Sequence, residues 1–164
     1  MKTIDIYSVH YNENPFKVRE ACRAIIVKDD NILISYETQT NQLMLPGGGL
    51  ESGETYEQCL IRELEEETGY IIEVNEKIVT INEYYGDTLW INHYYICNIV
   101  GNGNIKLSQE EKQEGMIPKW FNLSECLNIF KSFEYDPCCG TGGFKVGLYK
   151  REYTALTEYI LSQK

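Results

Sequence analysis

A chain of 164 residues has the length of one ordinary domain, and a hydrophobic content of 43% is enough to fill its core. Twenty-five acids against 15 bases leave a formal charge of −10, a field that repels nucleic-acid polymers, and no basic stripe offsets it. The longest apolar runs, such as Ile25-Ile26-Val27 and Ile32-Leu33-Ile34, fall far short of the ~20 residues that a membrane-spanning helix needs.

Asp5 stands where a signal peptide would have its apolar segment, so the expected location is cytoplasmic, with no membrane partner. Six cysteines are scattered without a Cys-x-x-Cys pair. Cys22, Cys59 and Cys97 sit in apolar stretches, where cysteine acts as a small hydrophobe; a reduced compartment follows. The Cys138-Cys139 pair lacks a His or third Cys at zinc-ligand spacing.

In chain order, a first strand is expected within Lys2–Val9. Arg19–Lys28 and Asn31–Glu37 then read as strands joined at Asp29-Asp30. Leu43–Leu45 is a short strand running into the Pro46-Gly47-Gly48-Gly49 loop. Thr55–Thr68 reads as a helix ending at Gly69. Ile71–Tyr85 and Thr88–Val100 read as long strands separated by Gly86-Asp87. Residues 101–116 are polar and expected to be mobile, Pro118–Asn122 is a short strand, and a helix follows near Ser124–Phe130. Lys131–Phe144 is expected to be loop. A last helix, about Leu148–Leu161, places Tyr149, Tyr153, Leu156 and Ile160 at helical spacing. No repeat or linker divides the chain, so residues 1–164 read as one α+β domain around a central sheet.

The helix after the glycine loop is acidic in an unusual place. Thr55 and Gln58 make a capping box plausible, and Gly69 suits the left-handed turn that ends a helix. Near that end lie Glu63, Glu65, Glu66 and Glu67, facing the negative pole of the helix dipole, at a cost of ~0.3–1 kcal/mol for each exposed carboxylate. Glu63, Glu66 and Glu67 share one face and continue the face that Cys59 and Leu60 bury, whereas Glu65 points the other way. Three carboxylates this close ionise together only beside a cation, and hard oxygen donors suit Mg²⁺ or Mn²⁺. The glycine loop can offer a carbonyl as a further ligand. Arg62 can hold the acids by bidentate hydrogen bonds. Such an ensemble suits metal-assisted hydrolysis.

These residues resemble the Nudix box, G-x5-E-x7-R-E-U-x-E-E-x-G-U, in which U is a bulky apolar residue. Gly48, Glu54, Arg62, Glu63, Leu64, Glu66, Glu67 and Gly69 stand in register, with Tyr70 in the last apolar position, where an aliphatic residue is usual. An accidental match of the fixed positions, at ~6% each, is on the order of 10⁻⁷–10⁻⁶. The resemblance implies an α/β/α sandwich around a mixed sheet, with the box over residues 48–70. It implies hydrolysis of a nucleoside diphosphate linked to another moiety, or of a nucleoside triphosphate. It further implies that Glu63, Glu66, Glu67 and the Gly47 carbonyl bind Mg²⁺ (or Mn²⁺) and that Glu54 and Arg62 brace the site. The general base would be Glu63 or an acid of the Ser108–Gly115 loop, with Glu114 the candidate there. Tyr85 and Trp90, near Tyr84 and Tyr94, are candidates to stack on a substrate base. The alternative is a silent Nudix-fold sensor, which would be expected to lack box carboxylates; this chain has them all. Composition leaves monomer and homodimer open.

Overall fold

The computed structural model describes residues 2–132 and 143–164. Most of the expected Lys131–Phe144 loop, residues 133–142 with the Cys138-Cys139 pair, lies outside them. Among the described residues the strands form two four-stranded sheets. One is mixed: β1 (Lys2–Tyr11) runs parallel to β6 (Tyr70–Gly86), β6 pairs antiparallel with β7 (Thr88–Asn102), and β2 (Lys17–Ile25) runs parallel to β7. The other is antiparallel about β4 (Asn31–Glu37), which pairs with β3 (Val27–Lys28), β5 (Gln42–Met44) and β8 (Met116–Asn122).

A mixed sheet flanked by helices is as expected, but the unbroken Arg19–Lys28 strand needs correction. The chain leaves the first sheet at Ile25, and the Ile26 carbonyl accepts from Leu33 N–H at 3.0 Å, so Val27–Lys28 begins the second sheet. The β3–β4 turn is where the sequence places it, with Asp29 and Asp30 at positive φ.

Helices cover both faces. α1 (Tyr56–Thr68) seals a cluster of Cys22, Ala24, Leu33, Cys59, Leu60 and Leu64, so these cysteines are core residues as expected. On the opposite face α3 (Leu123–Ser132) and α4 (Gly143–Ser162) cover Ile25, Ile34, Val79, Ile81 and Tyr94. Two expected loops are shorter than the sequence suggested. Ser108 caps α2 (Gln109–Glu114) with a complete capping box, making a short helix of part of the polar 101–116 segment. α3 continues to Ser132, and α4 begins at Gly143 rather than near Leu148. Among the described residues no helix is long and apolar enough to cross a membrane.

Under α1 lies a buried histidine that titrates out of register with the unfolded chain. Lys77 Nζ donates to His93 Nδ1 at 2.9 Å, which leaves Nε2–H to donate to Glu20 at 3.2 Å. Burial, opposed by Glu20 and reinforced by Lys77, holds the imidazole below its ordinary 6.5. As pH falls below 6.5 the unfolded chain takes up the proton first, so His93 contributes stability at neutral pH that acid removes. Urea midpoints measured from pH 7.5 to 5.5 should fall more steeply for the native chain than for His93→Gln. Parallel profiles would contradict this.

Candidate active site

The glycine loop is strapped to the free edge of β2. Ala24 N–H donates to Pro46 O at 2.9 Å, Cys22 N–H to Gly48 O at 3.0 Å, and Leu50 N–H to Glu20 O at 3.0 Å. Gly47 sits at φ +132°, a conformation that glycine tolerates, and a Cβ there would overlap the Cys22 carbonyl oxygen. A Cβ at Gly48 would overlap the Glu63 carboxylate. Gly47 thus leaves room for the β2 backbone and Gly48 for the α1 carboxylate, which lets the loop lie against both.

α1 presents its acids there. Its N-terminus carries the expected Thr55/Gln58 capping box, Gly69 closes it at φ 72°, and no basic residue occupies its last turn. Glu67 is only 5% exposed. Its Oε2 accepts from Ser35 Oγ at 2.7 Å and from Gly47 N–H at 3.1 Å. Burial lifts its carboxyl to about 7, against the opposing influence of Arg23 and these two donors. Burial also raises Glu63, with Arg62 opposing. Glu66 is more open, its side chain 38% exposed. Glu65 faces away, as expected, but it packs against Gly103 and accepts from Asn104 N–H at 3.4 Å rather than being merely solvated.

Arg62 fastens the group. Its Nε and Nη2 grip Glu54 at 2.6 and 2.9 Å, Nη1 reaches Glu63 at 2.7 Å and Glu66 at 3.4 Å, and Nη2 also donates to Gly49 O at 3.1 Å. The fork holds the Glu54 carboxyl down at about 2. Among the described residues no three His, Cys, Asp or Glu side chains already converge as a metal cluster. The acids are instead held by Arg62, Ser35 and the Gly47 amide. They are all oxygen donors, the chemistry that Mg²⁺ or Mn²⁺ takes.

The remaining candidates lie elsewhere. Glu114 ends α2, where its like-charged neighbours are Glu37, Glu110 and Glu111 rather than the box acids. Trp90 pairs across the sheet with Glu83 and carries the Arg19 guanidinium 5.5 Å from its ring centroid. Tyr85 is two residues beyond Glu83 on the same face. Tyr84 is on the other face, stacked on Tyr7 at 4.8 Å, and Tyr94 is fully buried in the core. Sequence reasoning missed Arg23 and Ser35. Arg23 donates to the Gly47 carbonyl and, at 3.4 Å, to that of Leu45. A lone arginine within Ala21-Cys22-Arg23-Ala24-Ile25 was the available signal. Two grooves, one including Tyr36, Lys119 and Phe121 and the other Lys28, Tyr70 and Trp120, are lined by none of the box acids.

The fold and the acidic helix after a glycine loop are those of a known family. The NUDIX domain model matches residues 18–137, and the chain belongs to the Nudix hydrolase family, whose members generally use divalent cations and act on small nucleotide derivatives. It is 31% identical over 115 residues to putative nudix hydrolase 1 of Caenorhabditis elegans, covering 66% of this chain and 30% of that protein. It is 30% identical over 94 residues to an ADP-ribose pyrophosphatase of Methanocaldococcus jannaschii, covering 54% of this chain and 55% of the relative. The match thus spans less than two thirds of either relative. Its fold is similar to that of a UDP-X diphosphatase, with a TM-score of 0.61 and 18% identity over 90% of this chain and 65% of the other. The Nudix-type α/β/α arrangement is thereby established.

Proposed function

We propose that this chain is a Mg²⁺- or Mn²⁺-dependent pyrophosphohydrolase. It cleaves a phosphoanhydride bond in a nucleoside diphosphate linked to another moiety, or in a nucleoside triphosphate. The observation that carries the reading is the buried Glu67 carboxylate on the Gly47 amide, with Glu63 against Gly48 and Glu66 tied to Glu63 through Arg62; among the described residues no cationic side chain hydrogen-bonds Glu67. These three carboxylates and the Gly47 carbonyl would hold the cation, and Arg23, now on that carbonyl, would have to release it. The bound cation would polarise phosphate oxygens and acidify the attacking water.

The chain's own side chains orient and move protons. Arg62, anchored by Glu54, keeps Glu63 and Glu66 turned toward the loop. Glu63, whose affinity for a proton burial increases, is placed to accept the proton of the water. Glu114 would serve only if α2 moved over the box, since here it faces Glu37. Tyr85 and Trp90 would flank the substrate on the sheet face that also carries Arg23. The names of the archaeal relative and of the similar diphosphatase structure support a nucleoside-diphosphate-type substrate.

A panel of ADP-ribose, UDP-glucose and dGTP assayed for nucleotide release tests the proposal. Turnover of at least one compound should require Mg²⁺ or Mn²⁺ and stop in EDTA. Turnover that survives EDTA would overturn the cation assignment, and binding without any turnover would favour a sensor. Arg62→Lys keeps the charge but loses the fork, so its kcat should fall roughly 10–100-fold, the usual effect of losing a group that orients ligands. An unchanged kcat would remove Arg62 from the site.

A further inference from the structure

A second set of polar side chains lies on the face of the mixed sheet opposite α1, beneath α4. Arg151 donates from Nη1 to Glu83 at 3.2 Å and from Nη2 to Glu152 at 2.9 Å, and all three are almost wholly buried. Tyr94 is the cross-strand partner of Arg23 and lies within electrostatic range of Arg151, Glu152, Arg23 and Glu83. Asn92, 1% exposed, is two residues along β7 on that face. Among the described residues, five buried atoms have no hydrogen-bond partner, and all lie here: Arg23 Nε, Asn92 Oδ1, Tyr94 OH, Arg151 Nε and Glu152 Oε2.

Buried polar atoms are rarely left unpaired, because each then bears its full desolvation cost. The charges of the cluster balance, two arginines against two glutamates, so it favours neither a phosphate nor a cation. It offers two N–H donors, two acceptors and a hydroxyl, and the complement is an uncharged group with donors and acceptors of its own. Sugar hydroxyls and the polar edge of a nucleobase both fit. The cluster also adjoins the box, because Arg23 donates from Nη1 to the Gly47 carbonyl while its Nε is among the unpaired atoms. In the other direction the face continues to the half-buried Trp90, directly across from Glu83.

We propose that Asn92, Tyr94 and Arg151 form the specificity subsite of the enzyme, taking the uncharged, hydrogen-bonding part of the substrate next to its diphosphate. This rests on the reading that the box holds the diphosphate. The subsite leaves the reaction to the box and decides which diphosphate is cleaved.

Calorimetric titrations in Mg²⁺ with inorganic phosphate, ribose 5-phosphate, AMP and UMP test it, using the native chain, Asn92→Leu and Tyr94→Phe. A ligand bearing a sugar or base should bind at least tenfold more tightly than phosphate. Ribose 5-phosphate matching the nucleotides assigns the sugar; nucleotides alone binding tightly assign the base. Either gain should shrink about tenfold in Asn92→Leu, with phosphate affinity unchanged. Tyr94→Phe loses a hydroxyl that has no partner in the fold, so it should melt no lower than the native chain yet bind the same ligand more weakly. No gain over phosphate, or a gain that survives both variants, would overturn the proposal and assign those atoms to internal water. A parallel Mn²⁺ titration that stays normal separates this outcome from failure of the box reading.

Discussion

Glu67→Gln should lower kcat by about 10²–10³-fold while leaving the metal-free fold at least as stable as the native one. Glu67 is buried, and its carboxyl is lifted to about 7 because desolvation penalises the charged form. A carboxyl whose folded value lies above its unfolded one binds protons more tightly when folded. Its protonation therefore supports the fold at low pH, and that support fades as pH rises toward 7. At pH 8 the native chain bears a buried negative charge that Gln lacks. Ser35 and Gly47 both donate to Oε2, and the amide oxygen of Gln can receive both bonds. Without metal the variant should thus melt at or above the native temperature. With saturating Mg²⁺ the order should reverse, since only the native chain gains stability by binding. A variant that keeps its turnover, or that collapses without metal, would contradict this assignment.

The second large effect is on the backbone. Gly47→Ala should destabilise the chain by about 2–4 kcal/mol and abolish turnover at assay temperature. The position combines φ +132° with a Cβ direction that runs into the Cys22 carbonyl, and that carbonyl belongs to the β2 backbone rather than to a side chain that can turn away. Relief would require the loop to lift off β2, breaking the Cys22-to-Gly48 and Ala24-to-Pro46 hydrogen bonds. Gly49→Ala is the control: nothing lies within 4 Å of its Cβ, so its urea midpoint should stay near the native value. Equal midpoints for the two variants would mean that the close approach at Gly47 does not constrain the loop.

What the sequence made legible follows from which interactions are local. Thr55, Gln58 and Gly69 set the ends of α1 through hydrogen bonds within a few residues, and both caps lie where the pattern places them. The inward turn of Glu63 and Glu67 followed from helical spacing alone. The break at Ile26 was not legible, because an apolar run through Ile25-Ile26-Val27 gives no sign that its halves pair with different sheets. Nor was the start of α4, since Gly142 and Gly143 read as loop whichever helix follows. Arg23 and Ser35 escaped for a related reason. Each acts on a partner more than twenty residues away, Gly47 and Glu67 respectively, and only the folded sheet brings them together. The Glu83–Arg151 pair, separated by 68 residues, was equally out of reach.

The most direct measurement is the affinity for Mn²⁺, read by electron paramagnetic resonance as loss of the free-ion signal. If cations dock on the acids at the end of α1, the native chain should bind the ion and Glu66→Gln should weaken that binding at least about tenfold, with Glu65→Gln unaffected. Equal affinity in all three proteins would place the cation somewhere else and remove the basis for the hydrolytic mechanism.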